Sequence, residues 1–188
     1  MYVPPAFALT DLAALHDAIE RYSFAVVVSG AGEDQVASHL PLLIDRAAGP
    51  HGTLLGHFAR ANPQARQVAG QPVLVVFSGP HAYISPRWYE AERVVPTWNY
   101  LAVHAYGRLE LTGDAETLPL LARTVRHYEA SLPAPWQLDE QPPDFIQQLA
   151  GRSLPNPDRA TRREGEIQPE SSGRAAAKGD RRLGTPGG

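Results

Sequence analysis

Between Phe24 and Ser78 short apolar, β-branched runs follow one another with little chain between them, and that spacing limits the folds open to this sequence. Phe24–Val28, Ala37–Asp45 and Thr53–Phe58 are joined by segments shorter than the roughly dozen residues a parallel crossover needs. Turn formers punctuate them: Gly30 to Asp34, then Gly49-Pro50-His51-Gly52. Antiparallel hairpins satisfy such spacing, and a doubly wound parallel sheet does not. Phe24–Val28 has no polar alternation and reads as a buried strand. Pro72–Ser78 is a fourth, strongly apolar run. Gly79-Pro80 and Ser85-Pro86 bracket Ala82-Tyr83-Ile84 as breakers, and Thr97–Thr112 reads as one long strand with a bend at Gly107.

Helices frame this β region. Leu12, Leu15, Ile19 and Tyr22 recur at helical spacing behind Thr10, a candidate N-cap, which predicts a helix over 11–22. Asn62-Pro63 can start a short helix. Asp114 can cap another running to about Ser131, and Pro142–Ala150 fits a last one. The expected class is α+β, mainly β: an antiparallel barrel with peripheral helices.

At 188 residues, 43% of them apolar, the chain suits one domain with a well-buried core. It has no cysteine, which excludes disulfide frameworks, zinc–thiolate sites and thiol nucleophiles. The formal charge of −3 carries no global footprint for nucleic acid. Neither a signal-like start nor an apolar stretch of membrane length is present, so no membrane partner and a cytoplasmic location are expected. Phosphate-loop, dinucleotide and H-E-x-x-H patterns are missing, and no protein metal site or acid pair for hydrolysis can be picked out.

What stands out is a set of polar groups embedded in β-forming sequence. Ser38-His39-Leu40-Pro41 lies in the second run, and Gly56-His57-Phe58-Ala59-Arg60-Ala61-Asn62-Pro63 leaves the third. Phe77 to Tyr89 contains Ser85 and Trp88, and Val95-Pro96-Thr97-Trp98-Asn99-Tyr100 opens the long strand. Each block mixes aromatic rings, which stack on a flat heterocycle, with donors suited to phosphate or carbonyl oxygens. Taken singly, each also has an ordinary reading. His39 and His57 can be core-edge histidines, Arg60 a surface ion-pair partner, and Trp88, Trp98 and the tyrosines core residues.

In their order, these blocks resemble the PaiB-type FMN-binding negative transcriptional regulators. The resemblance also includes the opening Met1-Tyr2-x-Pro4-x-x-Phe7 and covers about residues 1–150. It implies an FMN-binding split β-barrel, a homodimer, and a flavin near the dimer interface. The matching positions are His39, His57, Arg60, Asn62, Ser85, Trp88, Thr97, Trp98 and Asn99. Arg60 would then neutralise the FMN phosphate. His57, Asn62, Ser85 and Thr97 would donate to phosphate or ring atoms, and Trp88 or Trp98 would cover a flavin face. Repression, and any contact with DNA, is implied by the resemblance alone. No catalytic residue is identified. A flavin-dependent oxidoreductase and a cofactor-free dimer of the same fold remain as alternatives.

After Ala150 the composition changes. No aromatic residue follows Phe145, and the stretch to Gly188 is rich in Gly, Pro, Arg and Glu, so residues 151–188 are expected to be disordered. The resemblance implies a final strand here that the chain does not spell out. Codons for Leu154 to Arg174, read one base later, permit Phe-Arg-Ile-Pro-Ile-Glu-Arg-Leu-Glu-Gly-Lys-Val-Lys-Phe-Ser-Gln-Asn-Arg-Pro-Ala-Ala, which follows the family pattern. The expectation is a one-base frameshift shortly before Leu154, with the last family strand missing.

Overall fold

The structure is a computed structural model that describes residues 3–30, 32–67, 69–90, 92–156 and 168–171. Helix α1 spans Leu12–Arg21 and buries Leu15, His16, Ala18 and Ile19 along one stripe. Its N-cap is Asp11, whose carboxylate accepts from the Ala14 amide at 2.9 Å, one residue beyond the expected Thr10. Strand β1, Phe24–Ser29, buries Ala25, Val27 and Ser29 but leaves Phe24 66% exposed. Its continuous apolar run therefore marks a strand that, among the described residues, is fully covered on one face and half-covered on the other.

The run expected over 37–45 is two strands, β2 at Val36–Pro41 and β3 at Leu43–Asp45. Leu42 between them is fully buried, and its amide donates to the Ser23 carbonyl at 2.9 Å. The chain changes sheet at this corner. Strand β4, Thr53–Ala59, packs closely beneath it, because a Cβ on Gly56 would collide with the Leu42 side chain.

Helix α2 is the short Pro63–Gln67. Strand β5 runs unbroken from Pro72 to Ile84, through the Gly79-Pro80 pair read as a breaker. Its register against β6, Thr97–Arg108, shifts between Ser78 and His81. That bulge accommodates Pro80, which has no amide to give the ladder, and a side chain on Gly79 would meet Leu101 and Tyr22. β6 ends at Arg108, short of the expected Thr112.

Helix α3, Thr117–Glu129, begins after a 3₁₀ turn at Asp114–Glu116, and α4 spans Pro143–Arg152. Strands β7, Ser153–Asn156, and β8, Gln168–Ser171, complete the described elements. Two antiparallel sheets result, ordered β2-β1-β5-β6-β8 and β3-β4-β7. Antiparallel sheets with peripheral helices match the expected α+β class, although the barrel is not closed among the described residues. Between the sheets lies a core including Ile19, Val27, Leu42, Leu54, Phe58, Val75, Phe77 and Val103. Helix α3 lies against β4 and β7. No described helix is long and apolar enough to cross a membrane.

The segment expected to be disordered differs in two places. Ser153–Asn156 pairs with β4, and Gln168–Ser171 pairs with β6. Strand pairing uses backbone N–H and C=O groups, so sequence poor in apolar side chains can still occupy a sheet edge. The rest of the expected tail, 157–167 and 172–188, lies outside the described residues.

Candidate functional site

Side chains of the five-stranded sheet alternate between the core and an outward face that the described residues leave only half-covered. Register places His39, Val26, Val76 and His104 in one row across β2, β1, β5 and β6. Ala37, Val28, Leu74 and Tyr106 form the next row. Farther along β5 and β6, His81 stands opposite Tyr100 and Tyr83 opposite Trp98. Trp98, Tyr100, His104 and Tyr106 thus share the outward face with His39. Exposed rings collect there: Trp98 meets Tyr83 edge-on at 5.8 Å and His81 at 6.3 Å, and Phe24 stacks on His39 at 6.0 Å.

Thr97 and Asn99 alternate with Trp98 and point to the other side of β6. Thr97 is exposed, whereas Asn99 is half-buried with its Nδ2 buried and unpartnered among the described residues. Ser85 follows β5 and caps the turn Pro86–Trp88 by accepting from the Arg87 amide. This leaves Trp88 66% exposed. Arg93, in the loop to β6, holds a positive φ of 59° that its side chain disfavours.

The remaining expected positions gather around β4 and α2. Asn62 donates from Nδ2 to Ser38 Oγ at 2.9 Å, and its Oδ1 accepts from the Gln64 amide, which ties the helix start to the strand carrying His39. Gln64, which sequence reasoning missed, is buried and donates to Val27 O, Ser29 Oγ and Val36 O. A polar side chain beside Asn62-Pro63 was its signal, since a glutamine can lock a helix onto a hairpin through backbone acceptors.

Arg60 has structural work of its own. Its Nε donates to Gly151 O at 2.7 Å, and Nη2 donates to Asp114 at 2.9 Å and Ser153 O at 3.3 Å. These bonds close the C-terminal end of α4, where helix carbonyls lack partners. Only Nη1 is left without a hydrogen-bond partner among the described residues. Asp114, read as a helix cap, serves Arg60 instead. His57 points away from Gly56 and Phe58, and its Nδ1 is buried without a hydrogen-bond partner among the described residues. Burial pushes the His57 and His104 imidazoles below the usual histidine range.

The structure thus brings Asn62 next to Ser38, and Trp98 next to Tyr83 and His81, while Arg60 turns toward α4. A groove of about 920 Å³ between α3 and α4 is lined by none of the nine expected residues.

A family model described as "Putative FMN-binding domain" matches residues 1–152. The chain belongs to this FMN-binding family. Among its relatives, the protease synthase and sporulation protein PAI 2 of Bacillus subtilis is 38% identical over 148 residues, covering 78% of this chain and 70% of that protein. An uncharacterized protein of Aspergillus fumigatus is 32% identical over 160 residues, and the match covers 60% of this chain and 61% of the fungal one. The fold is shared with the FAD and heme binding protein from Mycobacterium smegmatis at a TM-score of 0.63 and 15% identity, covering 88% of this chain and 73% of that one. It is also shared with the flavocytochrome Anf3 from Azotobacter vinelandii at 0.61 and 14%, covering 90% and 72%.

FMN is the cofactor this family implies, and the residues present fit it. Asn99 offers a buried donor without a partner, a state that costs about 1–3 kcal/mol unless a ligand oxygen meets it. Trp98 and Tyr83 offer exposed ring faces at the same end of the sheet.

Proposed function

We propose that this chain is a negative transcriptional regulator of the PaiB type, acting as an FMN-binding homodimer. The observation that carries the dimer is the outward face of the five-stranded sheet. Phe24, Tyr83 and Trp98 stand 66%, 46% and 56% exposed beside half-buried Val26, Val28, Leu74 and Val76. A contiguous apolar face of this kind suits a self-complementary contact with a second copy. Flavin lies at its margin, with Trp98 against the ring, Asn62 donating to polar atoms and Arg60 Nη1 toward the phosphate. His39, His57, Ser85, Trp88 and Thr97 belong to the surrounding wall. When bound, FMN supplies redox chemistry or a redox-sensitive structural element.

The regulatory part rests on the relationship to PAI 2. The test is sedimentation of the purified protein together with its visible spectrum, followed by promoter-DNA retardation at several salt concentrations. A colourless monomer that takes up no FMN would reject the reading. A flavin-dependent oxidoreductase acting on a small molecule is the second reading, and the formal charge of −3 favours it over DNA contact. NAD(P)H-dependent bleaching of bound flavin without DNA retardation would select it. The one-base shift before Leu154 belongs to the same proposal, and the nucleotide sequence across codons 145–160 checks it.

A further inference from the structure

Two depressions meet at one arginine of α3. The first is the groove of about 920 Å³ between α3, the segment Pro135–Leu138 and α4. Its floor is apolar, supplied by Leu118, Ala122, Val125, Trp136 and Ile146, and its volume lies in the range of small-molecule sites, roughly 300–1,000 Å³. The second is a cleft of about 290 Å³ between α3, α1 and β3, where Arg123 and His127 line the α3 side. Arg126 lines both.

The charges nearby are unequally committed. Glu20, the acid lining the cleft, is taken by Arg46, which donates to both of its oxygens at 2.9 and 2.6 Å. That hydrogen bonding holds the Glu20 carboxyl below the usual range. Among the described residues Arg123 makes a long 3.8 Å ion pair with Asp45 and a 3.4 Å bond to Ile44 O. Within the groove, Glu129 accepts from the Trp136 amide at 2.8 Å, and Asp139 is exposed. Arg126 has no hydrogen-bond or ion-pair partner among the described residues.

We propose that α3 carries a binding site for an amphipathic anion, separate from the flavin. The apolar body lies in the α3–α4 groove, and an anionic oxygen head is met by Arg126, with Arg123 one helical turn before it and His127 next in the chain, both lining the adjoining cleft. A guanidinium at the junction of an apolar-floored groove and a basic cleft distinguishes such a ligand from a neutral one of the same length. The ligand is identified by that chemistry, an aliphatic or aromatic tail bearing a carboxylate or phosphate.

The test uses the full chain with FMN bound, titrated calorimetrically with octanoate and with 1-octanol at neutral pH. Octanoate should bind at one per chain and about tenfold more tightly than octanol, the scale of one charge-assisted bond. Arg126→Gln, at an exposed position, should erase that difference while leaving the flavin spectrum unchanged. Gln147→Trp, also exposed and reaching into the groove, should weaken both ligands. Octyl phosphate in place of octanoate tells which head the site prefers, and preference for either over octanol supports the proposal. Equal binding of octanoate and octanol, no binding of either, or octanoate affinity unchanged in Arg126→Gln would overturn it. Displacement of octanoate by added FMN would overturn it too, because the groove would then belong to the flavin.

Discussion

The two faces of the five-stranded sheet are built from similar residues and meet different fates. On the inner face, Val27, Val73, Val75, Phe77 and Val103 are at most 4% exposed and pack against α1 and the three-stranded sheet. On the outer face, Val26, Val28, Leu74 and Val76 sit one residue away along the same strands, yet are only half-covered, next to exposed Phe24, Tyr83 and Trp98. Apolar sequence is thus spent in two ways. One face is buried within the chain, and the other stays half-covered among the described residues.

Substitutions on the two faces should separate these roles. Phe77→Ala, on the inner face, should cost about 3–5 kcal/mol through lost burial and the cavity left behind, measured by urea unfolding. Val75→Thr and Val76→Thr make the sharper pair, because they are near-isosteric changes at adjacent positions facing opposite ways. Placing a hydroxyl at buried Val75 should cost about 1–3 kcal/mol, whereas Val76→Thr should stay within about 0.5 kcal/mol for the protomer. Equal losses at both would erase the distinction between the faces. Trp98→Ala should barely change unfolding of the protomer. It should weaken flavin retention or self-association about tenfold, read by FMN titration and sedimentation.

The smallest effect expected is with pH. His57 and His104 favour the neutral form because burial disfavours charge, so their folded pKa values lie below the ordinary 6.5. Their contribution to stability is complete above pH 6.5 and is lost as pH falls through the depressed folded values. Denaturant midpoints should therefore decline on acidification from pH 6.5, and His57→Gln should flatten part of that decline. Since His104 stands on the outer face, self-association should weaken over the same range. A pH-independent midpoint would remove both histidines from this account.

Much of the site was legible as a set of blocks and little of it as a geometry. The His-Leu-Pro block, the Gly-His-Phe-Ala-Arg-Ala-Asn-Pro block, the Phe77–Tyr89 block and the Pro-Thr-Trp-Asn-Tyr block marked the family, and the nine candidate residues came from them. Their directions were not legible. Thr97 and Asn99 face away from Trp98 because strand side chains alternate, a consequence that becomes concrete only with the register of β5 on β6. Arg60, expected to serve a phosphate, spends Nε and Nη2 on α4, β7 and Asp114. Its partners lie more than fifty positions away in the chain, beyond the reach of local pattern.

The sequence by itself determined the order of helices and strands as far as α4, their antiparallel pairing and the family, because periodicity, loop length and turn residues are local properties. Only the tertiary structure decided where the chain changes sheet at Leu42, how Gly79-Pro80 enters one continuous strand as a bulge, and which apolar face stays open. Those outcomes depend on which distant segments compete for the same surface. A valine carries the same preference for burial on either side of a strand, and the elements packed against it settle whether that preference is met.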